Sequence, residues 1–300
     1  MTWPTALTVT VVLLSQLLLN ALGAALSESS SEQAPDERRV LPQAIVIGVR
    51  KCGTRALLEF LGMHPQIKIA PDEVHFFDKD DRYERGLEWY RQQMPMSSPG
   101  QLTMEKSPAY FISPTAPGRI QSMNHTVKLL VILRNPITRV ISDYTQTFTK
   151  KRSRNESCVP IEDLVIDSFS GEVNLRYKPI DISIYHQHWA RWMMKFPRHQ
   201  IHIVDGDRMI VDPLSELIQV ERFLGVKPFL TTDNFMFNAT RHFYCMRKPG
   251  RATEHCLGFS KGRTHPQLKP TVHQKLKDFF RLHNNLFYQL SGREFHWDAT

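Results

Sequence analysis

One segment of the chain constrains the fold more than any other: residues 44–60 read AIVIGVRKCGTRALLEF. An apolar run comes first, a basic loop follows, and an amphipathic pattern comes last. This order predicts a buried strand, an anion-binding loop and a helix whose N-terminus faces the anion. Gly48 and Gly53 have the spacing of a P-loop, but Thr54 and Arg55 stand where that motif has Lys and then Ser or Thr. The anion is therefore not restricted to a nucleoside triphosphate.

Short apolar runs alternate with helical patterns, which predicts an α/β fold with a central, mostly parallel sheet flanked by helices. The predicted strands are residues 44–48, 67–70, 102–104, 127–133 and 200–204. The hydrophobic content of the chain is 41%, and its composition is even after residue 43. We therefore expect a single domain over residues 43–300 with one core.

Ionisable side chains follow each of the first four predicted strands, and in a parallel sheet such positions meet at one edge. In chain order they are Arg50, Lys51, Thr54 and Arg55, then Glu73, His75 and Asp78, then Glu105 and Lys106, and finally Arg134. We expect them to line one cleft. A P-loop enzyme has a magnesium-organising Asp where Arg134 stands, so no metal is predicted.

The N-terminal residues indicate the secretory pathway. Residues 1–27 have no charged side chain and read as a signal peptide or a signal anchor, so membrane contact is expected only if this leader is retained. Residues 28–42 are polar and charged, which predicts a disordered stem. Asn124, Asn155 and Asn238 begin sequons and are candidate glycosylation sites in the secretory lumen.

The net charge of +8 predicts a polyanionic partner. In the secretory lumen that partner is a sulfated glycosaminoglycan rather than a nucleic acid. The run of Lys150, Lys151, Arg152 and Arg154 is either a contact for it or a solvated loop.

The four cysteines are too few for a disulfide scaffold. The spacing of Cys245 and Cys256 suggests a bridge that closes a short hairpin, and a zinc site with His242 and His255 is the rival. An oxidising lumen favours the bridge. Cys52 and Cys158 are predicted to be free thiols.

With these motifs in place, the chain resembles sulfotransferases that use 3′-phosphoadenosine 5′-phosphosulfate (PAPS), and most of all the heparan sulfate glucosamine 3-O-sulfotransferases. The resemblance extends from Gln43 to Trp297. It is carried by IGVRKCGTRALLE, EVHFFD, EKSPAYF, LRNP, SDYTQ, HIVDGDR, FYC and SKGRTHP. It implies a P-loop-like sulfotransferase fold and PAPS as co-substrate without a metal.

The resemblance implies a set of nucleotide-binding residues. The 5′-phosphosulfate would lie on Lys51, Cys52, Gly53, Thr54 and Arg55, the 3′-phosphate on Arg134 and Ser142, and the rest of the nucleotide beside Tyr244, Lys261, Gly262, Arg263, Thr264 and His265. Two positions depart from the family pattern, in which Gly is usual at Cys52 and Asp at Asn135. The Cys52 side chain either crowds the nucleotide or points away from it.

The resemblance also implies catalytic and acceptor-binding residues. Glu73 matches the family's catalytic base, which needs either a pKa raised by partial burial or proton removal concerted with attack. His75 and Asp78 would orient Glu73 and the acceptor, while Lys51 and Lys106 would stabilise the leaving phosphate. The acceptor would contact Glu73, His75, Asp78, Arg50, Lys106, Ser107, Pro108, Ala109, Gln146, Arg191 and Trp192. For Trp192 the competing interpretation is a core residue.

The implied function is transfer of a sulfuryl group from PAPS to the 3-hydroxyl of glucosamine in heparan sulfate, in the Golgi lumen. Two alternatives stay open on the residues alone. One is a non-catalytic heparin-binding protein of the same fold, and the other is a lumenal kinase with a modified P-loop.

Overall fold

The computed structural model describes residues 36–247, 254–258 and 263–299. The predicted leader of residues 1–27 lies outside the described residues. The strands are β1 Arg38–Arg39, β2 Ala44–Gly48, β3 Ile67–Ile69, β4 Met96–Ser97, β5 Leu102–Lys106, β6 Lys128–Leu133, β7 Ile201–Asp205, β8 Phe235–Asn238, β9 Phe243–Arg247 and β10 Glu254–His255. The helices are α1 Thr54–Leu61, α2 Asp80–Tyr83, α3 Gly86–Gln92, α4 Ala116–Met123, α5 Pro136–Arg152, α6 Ile161–Val165, α7 Lys178–Ser183, α8 Tyr185–Met193, α9 Arg208–Val211, α10 Pro213–Leu224 and α11 Pro270–Ser291. Short 3₁₀ turns lie at Tyr110–Ile112, Arg198–Gln200, Thr232–Asn234 and Trp297–Ala299.

A five-stranded sheet with the order β3-β5-β2-β6-β7 forms the centre of the fold. Every neighbouring pair in it is parallel. All residues of β2 are buried, and so are those of β6 after Lys128, as expected for a parallel sheet covered on both faces. The predicted α/β architecture is confirmed, and the strand bounds differ from the predicted ones by at most two residues at either end.

A small antiparallel sheet with the order β10-β9-β8 carries the disulfide. Cys245 on β9 is bonded to Cys256, eleven residues later in the chain. The predicted bridge is confirmed and the zinc alternative for these cysteines is wrong, because both sulfur atoms are consumed. Cys52 and Cys158 are free thiols, as predicted.

Two residues of the predicted stem form a strand. Arg38 and Arg39 pair with Ser97 and Met96 as strands β1 and β4, and the Arg91 guanidinium donates to the Arg39 carbonyl at 3.0 Å. The predicted disordered stem is therefore wrong for this stretch. Backbone pairing and arginine contacts with carbonyls order a segment whose composition is that of a linker.

The core surrounds the central sheet and includes Phe76 and Phe77, as expected. Trp192 is also fully buried, and its indole N–H donates to the Phe111 carbonyl at 3.0 Å. The prediction that Trp192 contacts a sugar is wrong, because an indole in the core offers no free face. Among the described residues, no helix is both long and apolar enough to cross a bilayer.

Candidate active site

A cleft of about 730 Å³ opens where the parallel strands end. Side chains that follow β2, β3, β5, β6 and β7 line it together with residues of α5 and β9. The predicted residues that line it are Arg50, Lys51, Cys52, Gly53, Thr54, Arg55, Glu73, His75, Lys106, Pro108, Ala109, Arg134, Ser142, Gln146, Tyr244, Arg263, Thr264 and His265. The single predicted cleft is therefore present.

The loop between β2 and α1 forms the base of the cleft. Its Val49 N–H donates to the Ile132 carbonyl of β6 at 2.9 Å, which fixes the loop against the sheet. Gly53 precedes α1 with φ of 103°, a conformation that a side chain disfavours. No side chain of the described residues caps α1, so the N–H groups of its first turn face the cleft as oxyanion donors.

The Cys52 side chain points away from the cleft. It is fully buried, and its Sγ lies 3.7 Å from the Tyr185 hydroxyl. Burial raises the pKa of the thiol to about 11, so Cys52 stays protonated. Its backbone N–H donates to the Val49 carbonyl at 3.0 Å within the loop, and the thiol, directed at Tyr185, does not crowd the anion position.

Contacts with α5 hold the cationic side of the loop in place. Lys51 Nζ donates to Gln146 Oε1 on α5 at 2.8 Å. Arg50 pairs with Asp143 at 3.0 Å, and Asp143 in turn pairs with the fully buried Arg139 at 3.0 Å. Because α5 supplies these partners, that helix sets the positions of two cations at the cleft.

Arg134 and Ser142 form a second cationic corner at the start of α5. Arg134 Nε donates to Asp207 Oδ1 at 2.7 Å, and the Asn135 N–H donates to the other oxygen of Asp207 at 2.7 Å. The Asn135 side chain accepts from the N–H of Ile137 at 2.9 Å and so caps α5. An Asn in place of the family's Asp therefore still provides the cap.

A carboxylate with three ionisable neighbours lies on the opposite side of the loop. Lys106 Nζ donates to Glu73 Oε1, and His75 Nε2 lies 3.4 Å from Glu73 Oε2. Asp78 pairs with His75 Nδ1 at 3.0 Å. The Lys106 side chain is 3% exposed and that of Glu73 is 44% exposed, so the carboxylate is the accessible member of the group.

These contacts set the charge states of the group. The hydrogen bond from His75, followed by that from Lys106, lowers the pKa of Glu73 to about 2. The hydrogen bonds to Asp78 and Glu73 raise the pKa of His75 to about 9. The expectation of a raised pKa at Glu73 is wrong for this state, because two cationic donors outweigh partial burial. Glu73 is a carboxylate at neutral pH.

Some predicted site residues lie elsewhere. Ser107 is fully buried below the cleft, and Asp78 lies behind His75. Arg191 donates to the Ile112 carbonyl at 3.0 Å and is absent from the described cleft lining. Glu105, expected at the cleft, is fully buried, because it alternates with Lys106 along β5. Lys261 and Gly262 lie outside the described residues.

Other cleft residues escaped prediction: Arg241, His242 and Phe243 beside Tyr244, and Met209 and Ile210 on α9. Asp207, the partner of Arg134, was also missed. The neighbouring Gly206 is the sequence feature that could have indicated Asp207. A Cβ atom at Gly206 would lie 2.5 Å from the Cys52 carbonyl and 2.7 Å from Arg134 Cγ. Only glycine allows the end of β7 to approach the anion loop this closely. No group of His, Cys, Asp or Glu that could hold a metal occurs among the described residues.

The sulfotransferase domain family matches residues 41–292 of the chain. A sulfotransferase from Alicyclobacillus acidocaldarius has a TM-score of 0.65 at 18% identity, covering 87% of this chain and 100% of that one. At that identity the likeness shows the fold alone. The parallel sheet, the cationic loop and the family match define a sulfotransferase.

Two relatives narrow the family. Heparan sulfate glucosamine 3-O-sulfotransferase 5 of Mus musculus is 51% identical over 271 residues, which cover 90% of this chain and 78% of that protein. Heparan sulfate glucosamine 3-O-sulfotransferase 3B1 of Homo sapiens is 43% identical over 293 residues, which cover 93% of this chain and 73% of that protein. The chain belongs to the heparan sulfate glucosamine 3-O-sulfotransferases, a family of transferases.

The orientation of Cys52 generates a first prediction. Cys52→Gly removes a buried side chain and adds backbone freedom, so it should destabilise the protein by about 1–2 kcal/mol, or roughly 2–8 °C in Tm. It should leave the affinity for 3′-phosphoadenosine 5′-phosphate within about twofold, because one tenfold step needs about 1.4 kcal/mol of changed contact. Calorimetric titration measures the affinity, and thermal unfolding measures the change in Tm.

The matched control is Gly53→Ala, one residue further along the same loop. A Cβ there would lie 3.3 Å from Met209 Cε at a φ of 103°, so this substitution should weaken nucleotide binding. A many-fold gain of affinity in Cys52→Gly would show that the natural side chain obstructs the site.

The raised pKa of His75 generates a second prediction. Because the folded pKa of about 9 exceeds the ordinary value of 6.5, the stabilisation is complete below pH 6.5 and is lost as pH rises through 9. His75→Asn tolerates the positive φ of 52° at this position but cannot become charged. The variant should unfold about 2–4 °C below the wild type at pH 6, for a screened contribution on the order of 1 kcal/mol.

Thermal unfolding of both proteins at pH 6 and at pH 9.5 tests this expectation. The difference in Tm should shrink at the higher pH. An equal difference at both values would mean that His75 stabilises the fold by packing rather than by charge.

Proposed function

We propose that this protein transfers a sulfuryl group from PAPS to the 3-hydroxyl of glucosamine residues in heparan sulfate. Relatives that carry this activity in their names support it. The main support is structural: an ionised Glu73 contacts the buried Lys106 beside the basic loop between β2 and α1.

The residues of the cleft fit the donor. Lys51, Gly53 and the first turn of α1 suit a doubly charged phosphosulfate, since they combine the charge of an ammonium with the N-terminus of a helix. Arg134 and Ser142 suit the 3′-phosphate at the other corner. His265 lies between these cations, and burial followed by Arg134 and Lys51 lowers its pKa, so it is a neutral hydrogen-bonding group there.

The reaction exchanges one sulfur–oxygen bond for another. The glucosamine 3-hydroxyl oxygen bonds to sulfur, the bond between sulfur and the bridging phosphate oxygen breaks, and the hydroxyl proton passes to Glu73. The leaving phosphate keeps the bonding electron pair. Lys51 and Lys106 balance the charge that develops on it, as cations do in phosphoryl transfer.

The charge state of Glu73 favours one of the two routes for proton removal. A carboxylate with a pKa of about 2 is too weak a base to deprotonate a sugar hydroxyl beforehand. It is nevertheless always in the proton-accepting form. We therefore infer that proton transfer to Glu73 accompanies attack on sulfur, when the acidity of the hydroxyl rises.

The acceptor side of the cleft is suited to a sulfated polysaccharide. Arg50 is 53% exposed at the rim, and Lys150 and Gln146 line the cleft from α5. Pro108 and Ala109 form an uncharged wall beside Lys106. Such a surface binds sulfates and carboxylates electrostatically while Glu73 faces the hydroxyl.

The chain would act in the Golgi lumen. The uncharged leader of residues 1–27 and the sequons at Asn124, Asn155 and Asn238 support this location, and we include these asparagines in the proposal as glycosylation sites. Membrane attachment would depend on retention of the leader.

Labelled PAPS and a panel of defined heparan sulfate oligosaccharides test the proposed reaction. Chemical or enzymatic mapping should locate the new sulfate on the 3-hydroxyl of a glucosamine, with no transfer to chondroitin. Transfer to the 6-hydroxyl or the amino group would refute the proposed specificity. Nucleotide binding without any transfer would favour the non-catalytic alternative.

The role of Glu73 predicts the effect of removing its charge. Glu73→Gln keeps the shape of the side chain but cannot accept the proton, so kcat should fall by about 10²–10⁴-fold. Affinity for 3′-phosphoadenosine 5′-phosphate should stay within a few-fold, because the anion loop is unchanged. Single-turnover kinetics and calorimetry measure the two quantities.

The matched control is Asp72→Asn, which neutralises the exposed neighbouring carboxylate that does not line the described cleft. This control should retain activity. If Glu73→Gln transferred sulfate as fast as the control, Glu73 would be removed from the role of base.

A further inference from the structure

A buried polar network lies directly under the segment that carries Glu73. At its centre is the carboxylate of Glu105 on β5, which is fully buried. It accepts hydrogen bonds from the Tyr90 hydroxyl at 3.0 Å and from the Ser107 hydroxyl at 3.0 Å. The Tyr110 hydroxyl is a third polar neighbour of this carboxylate and lowers its pKa. A buried carboxylate is costly to form even with hydroxyl donors, and Glu105 takes no part in the proposed transfer step.

Two of the three hydroxyls also hold the backbone of the Glu73 segment. The His75 N–H donates to Ser107 Oγ at 2.9 Å, and the Phe76 N–H donates to Tyr110 Oη at 2.9 Å. His75 has a positive φ of 52°, which is uncommon for a residue other than glycine. External hydrogen bonds on consecutive N–H groups are what such a conformation needs to persist.

The network has a fixed direction when Glu105 is ionised. The Ser107 hydroxyl donates its hydrogen to Glu105, and the same charge attracts the hydrogen of the Tyr110 hydroxyl. The lone pairs of both oxygens are then left to accept the backbone N–H groups. Burial raises the pKa of Tyr90 and of Tyr110 well above the ordinary value, so both keep their protons and remain donors. Burial also raises the pKa of Glu105 to about 7. The charged groups near Glu105 are His75 and Lys106, the residue that follows Glu105 on β5.

We propose that Glu105 is a positioning residue for catalysis: through Ser107 and Tyr110 it orients two hydroxyls that hold the backbone of His75 and Phe76, and so it places Glu73 against Lys106. This role rests on the proposed function of Glu73. Glu105 itself touches neither substrate nor the reacting atoms. The Tyr90 ring packs against Phe76 and Phe77, but its hydroxyl donates to Glu105 and to no backbone group of the Glu73 segment.

The two tyrosines provide a matched pair of variants. Tyr90 and Tyr110 are both fully buried, both contact Glu105, and both keep an aromatic ring when changed to Phe. Tyr110→Phe leaves the Phe76 N–H without its acceptor, whereas Tyr90→Phe removes no contact to the segment. We expect Tyr110→Phe to lower kcat by about tenfold or more and Tyr90→Phe by less than about threefold.

A spectroscopic readout that does not depend on turnover accompanies the kinetics. If the segment shifts, His75 separates from Glu73 and Asp78, and its pKa falls from about 9 toward the ordinary 6.5. NMR titration of the His75 ring should show this fall in Tyr110→Phe and not in Tyr90→Phe. Affinity for 3′-phosphoadenosine 5′-phosphate should be unchanged in both variants.

Glu105→Gln tests the centre of the network, because an amide accepts hydrogen bonds at only one of its two ends. We expect a loss of kcat and a lowered pKa of His75 at least as large as in Tyr110→Phe. Thermal unfolding identifies any variant that fails to fold, and the tyrosine pair remains informative in that case.

Equal losses of kcat in the two tyrosine variants, or an unshifted pKa of His75 in Tyr110→Phe, would overturn the positioning role. Failure of this inference is distinguishable from failure of the proposed function. If Glu73→Gln is inactive and the two tyrosine variants lose equal amounts of kcat, only the role of Glu105 is refuted. An active Glu73→Gln variant refutes the proposed role of Glu73 as general base, and the role of Glu105 depends on that proposal.

Discussion

The position of β2 at the centre of the sheet is the constraint on which the site depends. Its neighbours are β5 on one side and β6 on the other, so the loop after β2 lies between Lys106 at the end of β5 and Arg134 after β6. Parallel strands all present their carboxyl ends at the same edge. The strand order therefore places cations on both sides of one anion loop. An order in which β2 did not lie between β5 and β6 would move at least one of these charges away from the loop by the width of a strand or more.

On the β5 side of the loop, the positive charge of Lys106 is offset by the carboxylate of Glu73. The Lys106 side chain is nearly inaccessible, and a buried ammonium without a partner is costly. Glu73 and Lys106 therefore stabilise each other's charged forms. An anion bound in the loop would compete with Glu73 for Lys106. Loss of that partner and the added negative charge would both raise the pKa of Glu73. The carboxylate would then become a better base when the cleft is filled.

The sequence predicted the sheet, the anion loop and the disulfide because each of these depends on local pattern. Buried parallel strands are continuous apolar runs, and the loop between β2 and α1 is marked by its glycines and cations. The failures concern side-chain direction and long-range partners. Trp192 lies on a helix whose aromatic pattern fits a core or a sugar platform equally well. The pairing of Arg134 with Asp207 spans 73 residues, and no local pattern reports such a contact.

Cys52 shows why a departure from a family motif need not alter the chemistry of the site. In the proposed site the anion accepts from N–H groups at the start of α1, so the side chain at position 52 matters only through the space into which it points. That space is next to Tyr185, whose hydroxyl donates to the Arg134 carbonyl at 2.9 Å. Cys52 and Arg134 thus share one buried neighbour, and the Tyr185 hydroxyl connects the two corners of the cleft. A side chain here can change as long as it fills that volume and remains uncharged.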